Sequence, residues 1–293
     1  MEILIQQVLS GLATGGIYGA LALALVMIYQ STDVVNFSQG EMAMFSTYLC
    51  WSMINAGMPY WGAFFCTLAV SFAGGIAIQR LIIQPVQNAP VLAIVIVTVA
   101  LLVIFNSVAG WLYSYIQKPF PSPFPEKPLK FGNIVFGAHD LGMIGVTMVV
   151  LAMLYGFFRF TPLGLVMRAA AQNPVSSRLC GIRVGRMLAF GWGLAAMVGS
   201  VAGMMVAPIV FLDPNMMGGI MIYAFASATL GGMSSPIGAV LGGFIVGVIE
   251  NLVGTYVKFI GTELKFTVAL ALILVVLTFM PSGLFGRSEV KRV

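Results

Sequence analysis

The stretch Thr161-Pro-Leu-Gly-Leu-Val-Met-Arg-Ala-Ala-Ala-Gln-Asn-Pro-Val-Ser-Ser-Arg-Leu-Cys-Gly-Ile-Arg183 is a polar, arginine-bearing island between long apolar runs. Thr161 is a good N-cap residue, and Pro162 suits the first helical position, where its missing N–H costs nothing. Residues 163–172 can then form about three turns before Asn173-Pro174 stops them. Pro174 suits the first position of a second short helix with residues 175–180 as its body, and Gly181 stands where a left-handed C-terminal cap is easiest. The island is therefore predicted to be a compact helix-turn-helix surface.

Everything around it reads as membrane. Of 293 residues, 60% are hydrophobic and 8% charged, against roughly 25% charged in an ordinary soluble domain. The apolar runs repeatedly reach the ~20 residues needed to cross a bilayer, and they are continuous where a transmembrane barrel would alternate apolar with polar. The expected fold class is all-α, a polytopic helical membrane protein. The net charge of +5 and pI near 9.2 fit a bias of basic residues to one side of a membrane, with no nucleic-acid partner implied. Cys50, Cys66 and Cys180 are odd in number and lie in different segments, so neither a disulfide framework nor a metal site is expected. The first apolar run follows no basic residue and precedes no small-residue cleavage pattern, so it is expected to remain in the mature protein.

Read in order, residues 3–29 form a first span with Gly11, Gly15 and Gly19 on one helical face, a pattern that lets helices approach closely. A polar break at 30–41 is followed by a short run at 42–56. Residues 61–83 span next, with Arg80 near the end able to snorkel. Pro85 and Pro90 punctuate, and 91–113 spans again. Residues 114–140 form the longest polar segment, an external loop with some β structure expected around 131–136. Residues 141–158 span, the island follows over 161–186, and 187–212 is a glycine-rich span. A short run at 219–231, a span at 236–251 and a closing span at 264–280 complete eight or nine membrane segments, some short or broken.

Arg159, Arg168, Arg178, Arg183 and Arg186 crowd the island while no acidic residue occurs between Asp140 and Asp213. That pattern places the island in the cytoplasm. The basic tail from Arg287 belongs there too, and the Pro-rich loop falls outside despite Lys118, Lys127 and Lys130. The first 79 residues carry no lysine or arginine, so the rule says nothing about the amino terminus.

The break at 30–41 is paired with a second short run, bounded by Gly219 and Gly231. Paired interrupted segments in two halves of a transporter point to its pathway, so Asn36, Ser38, Gln39 and Glu41, together with Gly231 and Gly232, are expected on the translocation path. Glu250-Asn251 is expected to end its span at an interface, Asp213-Pro214-Asn215 to cap the short helix after it, and His139 to sit in the outer loop beside Asp140. No metal cluster is predicted, no paired catalytic groups are present, and there is no glycine-rich lysine loop for ATP. An autonomous ion-coupled transporter would need intramembrane charges, and only Glu41, Asp33 and Glu250 offer themselves.

The sequence Thr161-Pro-Leu-Gly, Met167-Arg-Ala-Ala-Ala-Gln-Asn-Pro and Leu179-Cys-Gly-Ile resembles the cytoplasmic coupling segment of branched-chain amino-acid ABC permeases. Val35-Asn-Phe-Ser-Gln-Gly-Glu41 is similar to that family's Asn-Phe-Ala-His-Gly-Glu stretch, and Leu230-Gly-Gly-Met-Ser-Ser-Pro-Ile-Gly-Ala-Val-Leu-Gly-Gly243 to its late glycine-rich motif. The resemblance covers nearly the whole chain. It implies an ABC importer permease in a bacterial-type inner membrane, assembled with a second permease subunit of a different chain, two cytoplasmic ATPases and an extracytoplasmic substrate-binding protein. ATP and Mg would be bound by the ATPases and no cofactor by this chain. Thr161, Pro162, Gly164, Arg168, Ala169, Ala170, Gln172, Asn173, Pro174, Arg178 and Gly181 would form the ATPase-coupling surface. Gln39 stands where many relatives have histidine, which leaves urea, short amides or another small solute open beside branched-chain or related amino acids.

Overall fold

A computed structural model describes residues 2–32, 34–125, 129–131, 134–257 and 264–286. Asp33, Glu126, Lys127, Lys258 and the basic tail from Arg287 lie outside the described residues. The chain is almost wholly helical: α1 (Glu2–Thr32), α2 (Gln39–Asn55), α3 (Tyr60–Ile78), α4 (Gln84–Val86), α5 (Val91–Tyr113), α6 (Ala138–Phe160), α7 (Pro162–Gln172), α8 (Pro174–Leu179), α9 (Val184–Val210), α10 (Met216–Gly231), α11 (Pro236–Tyr256) and α12 (Lys265–Phe279). A short antiparallel hairpin, β1 (Leu129–Phe131) and β2 (Ile134–Phe136), lies where β structure was expected.

Among the described residues six helical segments are long and apolar enough to cross a membrane, one of them the continuous Tyr60–Val86, and α10 and α12 are shorter apolar helices. With the 17-residue α2 they account for the eight or nine segments. Three boundaries differ from expectation. The polar break is narrower, because α1 continues through Gln30 to Thr32 and α2 already begins at Gln39; Gln39 and Glu41 are helical. α6 starts at Ala138, so His139 and Asp140 belong to its first turn, where a carboxylate meets the positive helix end favourably. Pro85 does not end its helix. A π turn, Gln79–Ile83, links α3 to α4, and the wider turn accommodates a ring that has no N–H to donate.

The chain divides into two compact units, one of residues 1–26, 124–147 and 219–293, the other of 27–123 and 148–218. In the first, the glycine face of α1 meets a glycine face of α11. A Cβ on Gly11 would lie 2.7 Å from the Val248 Cα, and one on Gly15 2.7 Å from the Gly243 oxygen. Gly19 abuts Val240 in the same way, at 3.0 Å from its oxygen. The other side of α11 packs Gly238 and Gly242 against Gly231 and Ser227 of α10.

In the second unit α9 is the central element, packed by α2 and α3. Gly203 lies on Ala43 and Thr47 of α2, and Gly75 of α3 faces Trp192, Gly193 and Ala196 of α9. Trp192, Ala195, Met204 and Ala207 are buried. Past the far end of α9 from the island, Lys118 and Leu212 exchange two backbone hydrogen bonds of 2.9 Å. Since 27 residues of α-helix measure about 40 Å, the island and the Lys118 loop lie at opposite ends of one membrane-length helix. Lys118 itself sits 4.5 Å over the Trp51 ring.

The glycine contacts yield a direct test. Gly15→Val drives two methyls into backbone atoms that have no rotamer to escape to, and overpacking of this kind costs about 1–3 kcal/mol or more. Gly74 has nothing within 4 Å of its would-be Cβ, so Gly74→Ala serves as the control. Thermal unfolding of the purified proteins in detergent should show a lower midpoint for Gly15→Val and none for Gly74→Ala; equal midpoints would refute the packing.

Candidate functional site

The island is built as two capped helices. The Thr161 hydroxyl oxygen accepts from the Gly164 N–H at 3.0 Å while its O–H donates to the Phe157 carbonyl at 2.6 Å, tying α7 to the end of α6. Gly164 presses on the Phe157 and Phe158 backbone, which leaves no room for a side chain. Gly164, Met167 and Ala170 recur every three residues and are the buried stripe of α7, which roots it on α9. Asn173 Oδ1 accepts from the Ser176 N–H at 2.9 Å and caps α8. At the other end Gly181 takes φ +82°, and the N–H groups of Gly181 and Ile182 close on the Arg178 and Ser177 carbonyls at 3.0 Å.

Arg168, Gln172, Asn173, Pro174, Arg178 and Gly181 are exposed, with Thr161 and Ala169 partly so. Three apolar residues not expected on the coupling surface join them: Leu165, Val175 and Leu179 are 60%, 68% and 85% exposed. Their signal is periodicity. Once Gly164, Met167 and Ala170 are taken as the buried stripe, Leu165 and Arg168 must share the opposite face. The result is an apolar surface edged by guanidinium groups on a rigid support.

The break between α1 and α2 is a closed hydrogen-bond network. Asn36 Oδ1 accepts from the Ser38 N–H at 3.1 Å and from its hydroxyl at 2.7 Å, and Asn36 Nδ2 donates to Gln39 Oε1 at 3.3 Å. Gln39 Nε2 then donates to the Ala195 carbonyl of α9 at 3.0 Å. All three side chains are fully buried. Gln39 reaches α9 only because Gly199 has no Cβ, which would overlap Nε2. Asn36, Ser38 and Gln39 thus pin the start of α2 to α9.

Glu41 lies outside that network. It is 6% exposed, and its Oε2 makes no hydrogen bond among the described residues. Asn106 of α5 is close enough to interact with the carboxylate, and Asp213 adds a second negative charge nearby. The Tyr48 hydroxyl, two turns along α2, is also buried with no hydrogen-bond partner among the described residues, and Tyr48 feels the same Asp213. Asn106 Nδ2 donates to the Pro214 carbonyl at 2.8 Å and to Asn215 Oδ1 at 3.2 Å. Asp213, expected to cap α10, forms a turn ahead of it: its Oδ1 accepts from the Asn215 N–H at 2.6 Å, one residue before the helix begins at Met216. The sequence reading found Glu41 but missed Asn106 and Tyr48, which lie in apolar helices and carry no local signal.

Gly231 and Gly232 belong to the first unit and to a different kind of structure. Gly232 has φ +101° and touches Gly286 and Ser282, while the Gly231 carbonyl accepts from the Phe285 N–H at 3.1 Å. Close backbone packing around this turn accounts for both glycines. Glu250 differs from expectation. α11 runs on to Tyr256, so Glu250 does not end its helix; the Tyr18 hydroxyl donates to Oε2 at 2.7 Å, and Lys265 Nζ stands 3.7 Å from Oε1. Among the described residues no group of three metal-ligating side chains occurs.

Residues 7–277 match the family described as branched-chain amino acid transport system / permease component. The chain is 30% identical over 305 residues to the high-affinity branched-chain amino acid transport system permease protein LivH of Salmonella typhimurium, covering 99% of this chain and 97% of that one. The LivH protein of Escherichia coli K12 gives the same figures, and BraD of Pseudomonas aeruginosa is 28% identical over 99% of this chain and 98% of its own. In fold the chain is similar to the solved structure titled PsaBC from Streptococcus pneumoniae in complex with Fab, with a TM-score of 0.50 at 14% identity, covering 93% of this chain and 91% of that one. A match to the family model over residues 7–277 and relatives at this identity place the chain: it belongs to the branched-chain amino acid transport system permease component family.

Proposed function

We propose that this chain is the permease subunit of an ATP-driven importer of branched-chain or closely related amino acids in a bacterial-type inner membrane. The island and the C-terminus face the cytoplasm. The partners are two ATPases, which bind the ATP and Mg, a second and different permease chain, and an extracytoplasmic protein that delivers the substrate. The observation that carries this reading is the island: two successive capped helices presenting Leu165, Val175 and Leu179 beside Arg168 and Arg178. An ordinary connection between spans has no reason to hold apolar side chains out on a rigid, doubly capped support. A groove on a soluble partner does.

Helix α9 links the two ends of the mechanism. It supports α7 and α8 at one end and receives Gln39 at Ala195. When the ATPases close on ATP, each pulls on its island; α9 moves as a rod and α2 moves with it, because the Asn36, Ser38 and Gln39 network leaves no slack. ATP and loaded binding protein drive the cycle only by binding one permease conformation better than the other.

Glu41 is the group assigned to substrate. A carboxylate at membrane depth costs about 2.5–3.5 kcal/mol on insertion scales, and one with an unpartnered oxygen suits a passing cation. The α-ammonium group of an amino acid supplies that charge, while the alkyl side chain travels over apolar surface.

Two measurements check this account. The double substitution R168E/A169E should release the ATPases when the complex is purified in detergent, and retention of the full complex with unchanged ATP hydrolysis would reject docking at the island. Glu41→Gln keeps shape and removes charge, so leucine uptake into cells or vesicles should fall by about tenfold or more, the scale of one charge-assisted contact, with subunit assembly intact. Uptake at the wild-type rate would take Glu41 off the path.

A further inference from the structure

The second unit contains a cleft of about 490 Å³ lined by Arg80, Gln84, Arg178, Ile182, Arg183 and Arg186 among others. Arg80 is brought beside Arg178, Arg183 and Arg186, 98 to 106 residues further along the sequence, and no acidic side chain lines the cleft. The salt bridge found among the described residues joins Lys265 to Glu250, so these four cations have no carboxylate partner there. The N-terminus of α9 opens into the same cleft through Val184 and Gly185, and Arg183 at its N-cap makes no side-chain capping bond. In the first turn of α9 the Val184 and Arg186 N–H groups already bond the Ile182 and Arg183 carbonyls, so the four arginines themselves form the anion site, one of high charge density.

Its level in the fold identifies the anion. Arg80 and Gln84 come from the last turns of the span Tyr60–Val86, and Arg183 and Arg186 stand at the start of the span Val184–Val210. The cleft therefore lies where two spans leave the hydrocarbon, at the depth of lipid phosphates. Next to Arg80 on the π turn but outside the lining of the cleft, Leu81 is 75% exposed and Ile82 36%, apolar surface available to lipid. A soluble partner's carboxylate would satisfy the arginines but leave these residues unused. Basic pockets between transmembrane helices hold anionic headgroups by this combination of charge and apolar wall.

We propose that this cleft is a binding site for the phosphodiester headgroup of an anionic phospholipid such as phosphatidylglycerol, with Arg80, Arg183 and Arg186 gripping the phosphate and Leu81 and Ile82 seating a chain. Bound there, the lipid bridges the π turn that carries Arg80 to the start of α9 and so restrains the helix on which the island stands.

The full-length chain with its co-purifying subunits, stripped of lipid in detergent, is titrated with dioctanoyl phosphatidylglycerol, dioctanoyl phosphatidylcholine or inorganic phosphate while thermal unfolding is followed. Phosphatidylglycerol should raise the midpoint, and R80Q/R186Q should weaken its apparent affinity by about tenfold or more, with most of it retained in R80K/R186K. Equal stabilisation by phosphatidylcholine overturns the charge requirement, equal stabilisation by inorganic phosphate overturns the lipid, and an unchanged response in R80Q/R186Q overturns the site. Should that variant fail to fold, native mass spectrometry of the wild-type protein released from vesicles of both lipids in equal parts decides: retained phosphatidylglycerol supports the site, and phosphatidylcholine alone contradicts it.

Discussion

The constraint on which this structure depends is that helices in a bilayer gain little by hiding apolar surface from lipid, which is as apolar as they are. They must associate through close contact. Glycine supplies it. In the first unit Gly11, Gly15 and Gly19 of α1 meet Gly243, Gly247 and Val240 of α11 backbone to backbone. In the second, Gly75, Gly199 and Gly203 let α2 and α3 settle against α9. The polar groups depend on the same approach. Gln39 reaches the Ala195 carbonyl across a space that any side chain at position 199 would fill, and Tyr18 meets Glu250 across the α1–α11 contact.

Much of this is legible in the sequence because its causes are local. Thr161, Pro162, Asn173, Pro174 and Gly181 act on backbone groups within a few residues, so the two helices of the island and their ends follow from the residues themselves. A glycine repeat at fourfold spacing likewise announces a face that packs. What escaped depends on distance. Glu250 looked like the end of a span because a polar pair broke the apolar run; its partners Tyr18 and Lys265 lie on two other helices. Gln30 to Thr32 looked like part of a loop, yet α1 continues through them, since polar side chains near a helix end carry no instruction to stop. The same distance hid the approach of Asn106 to Glu41, and of Arg80 to the island's arginines, 98 residues from Arg178 in sequence.

The polar residues of the α1–α2 break also divide by chemistry. Asn36, Ser38 and Gln39 spend their hydrogen-bonding groups on one another and on α9, which makes them a lock. Among the described residues the Glu41 Oε2 has no hydrogen-bond partner, which is why the proposed function gives the ligand to it. Under the proposed mechanism, motion and recognition fall to neighbouring residues of one segment: the lock would carry displacement from α9 into α2, and the carboxylate two residues further along would travel with it.

The central claim is that the exposed face of the island is where the ATPases take hold. The most direct measurement places a photo-reactive benzoylphenylalanine at Leu179 or Val175 in living cells and identifies what it captures on irradiation. The account predicts a covalent adduct with the ATPase subunit from both positions and none from Phe65, an exposed residue within the α3 span. Efficient incorporation without an ATPase adduct from either island position would contradict it.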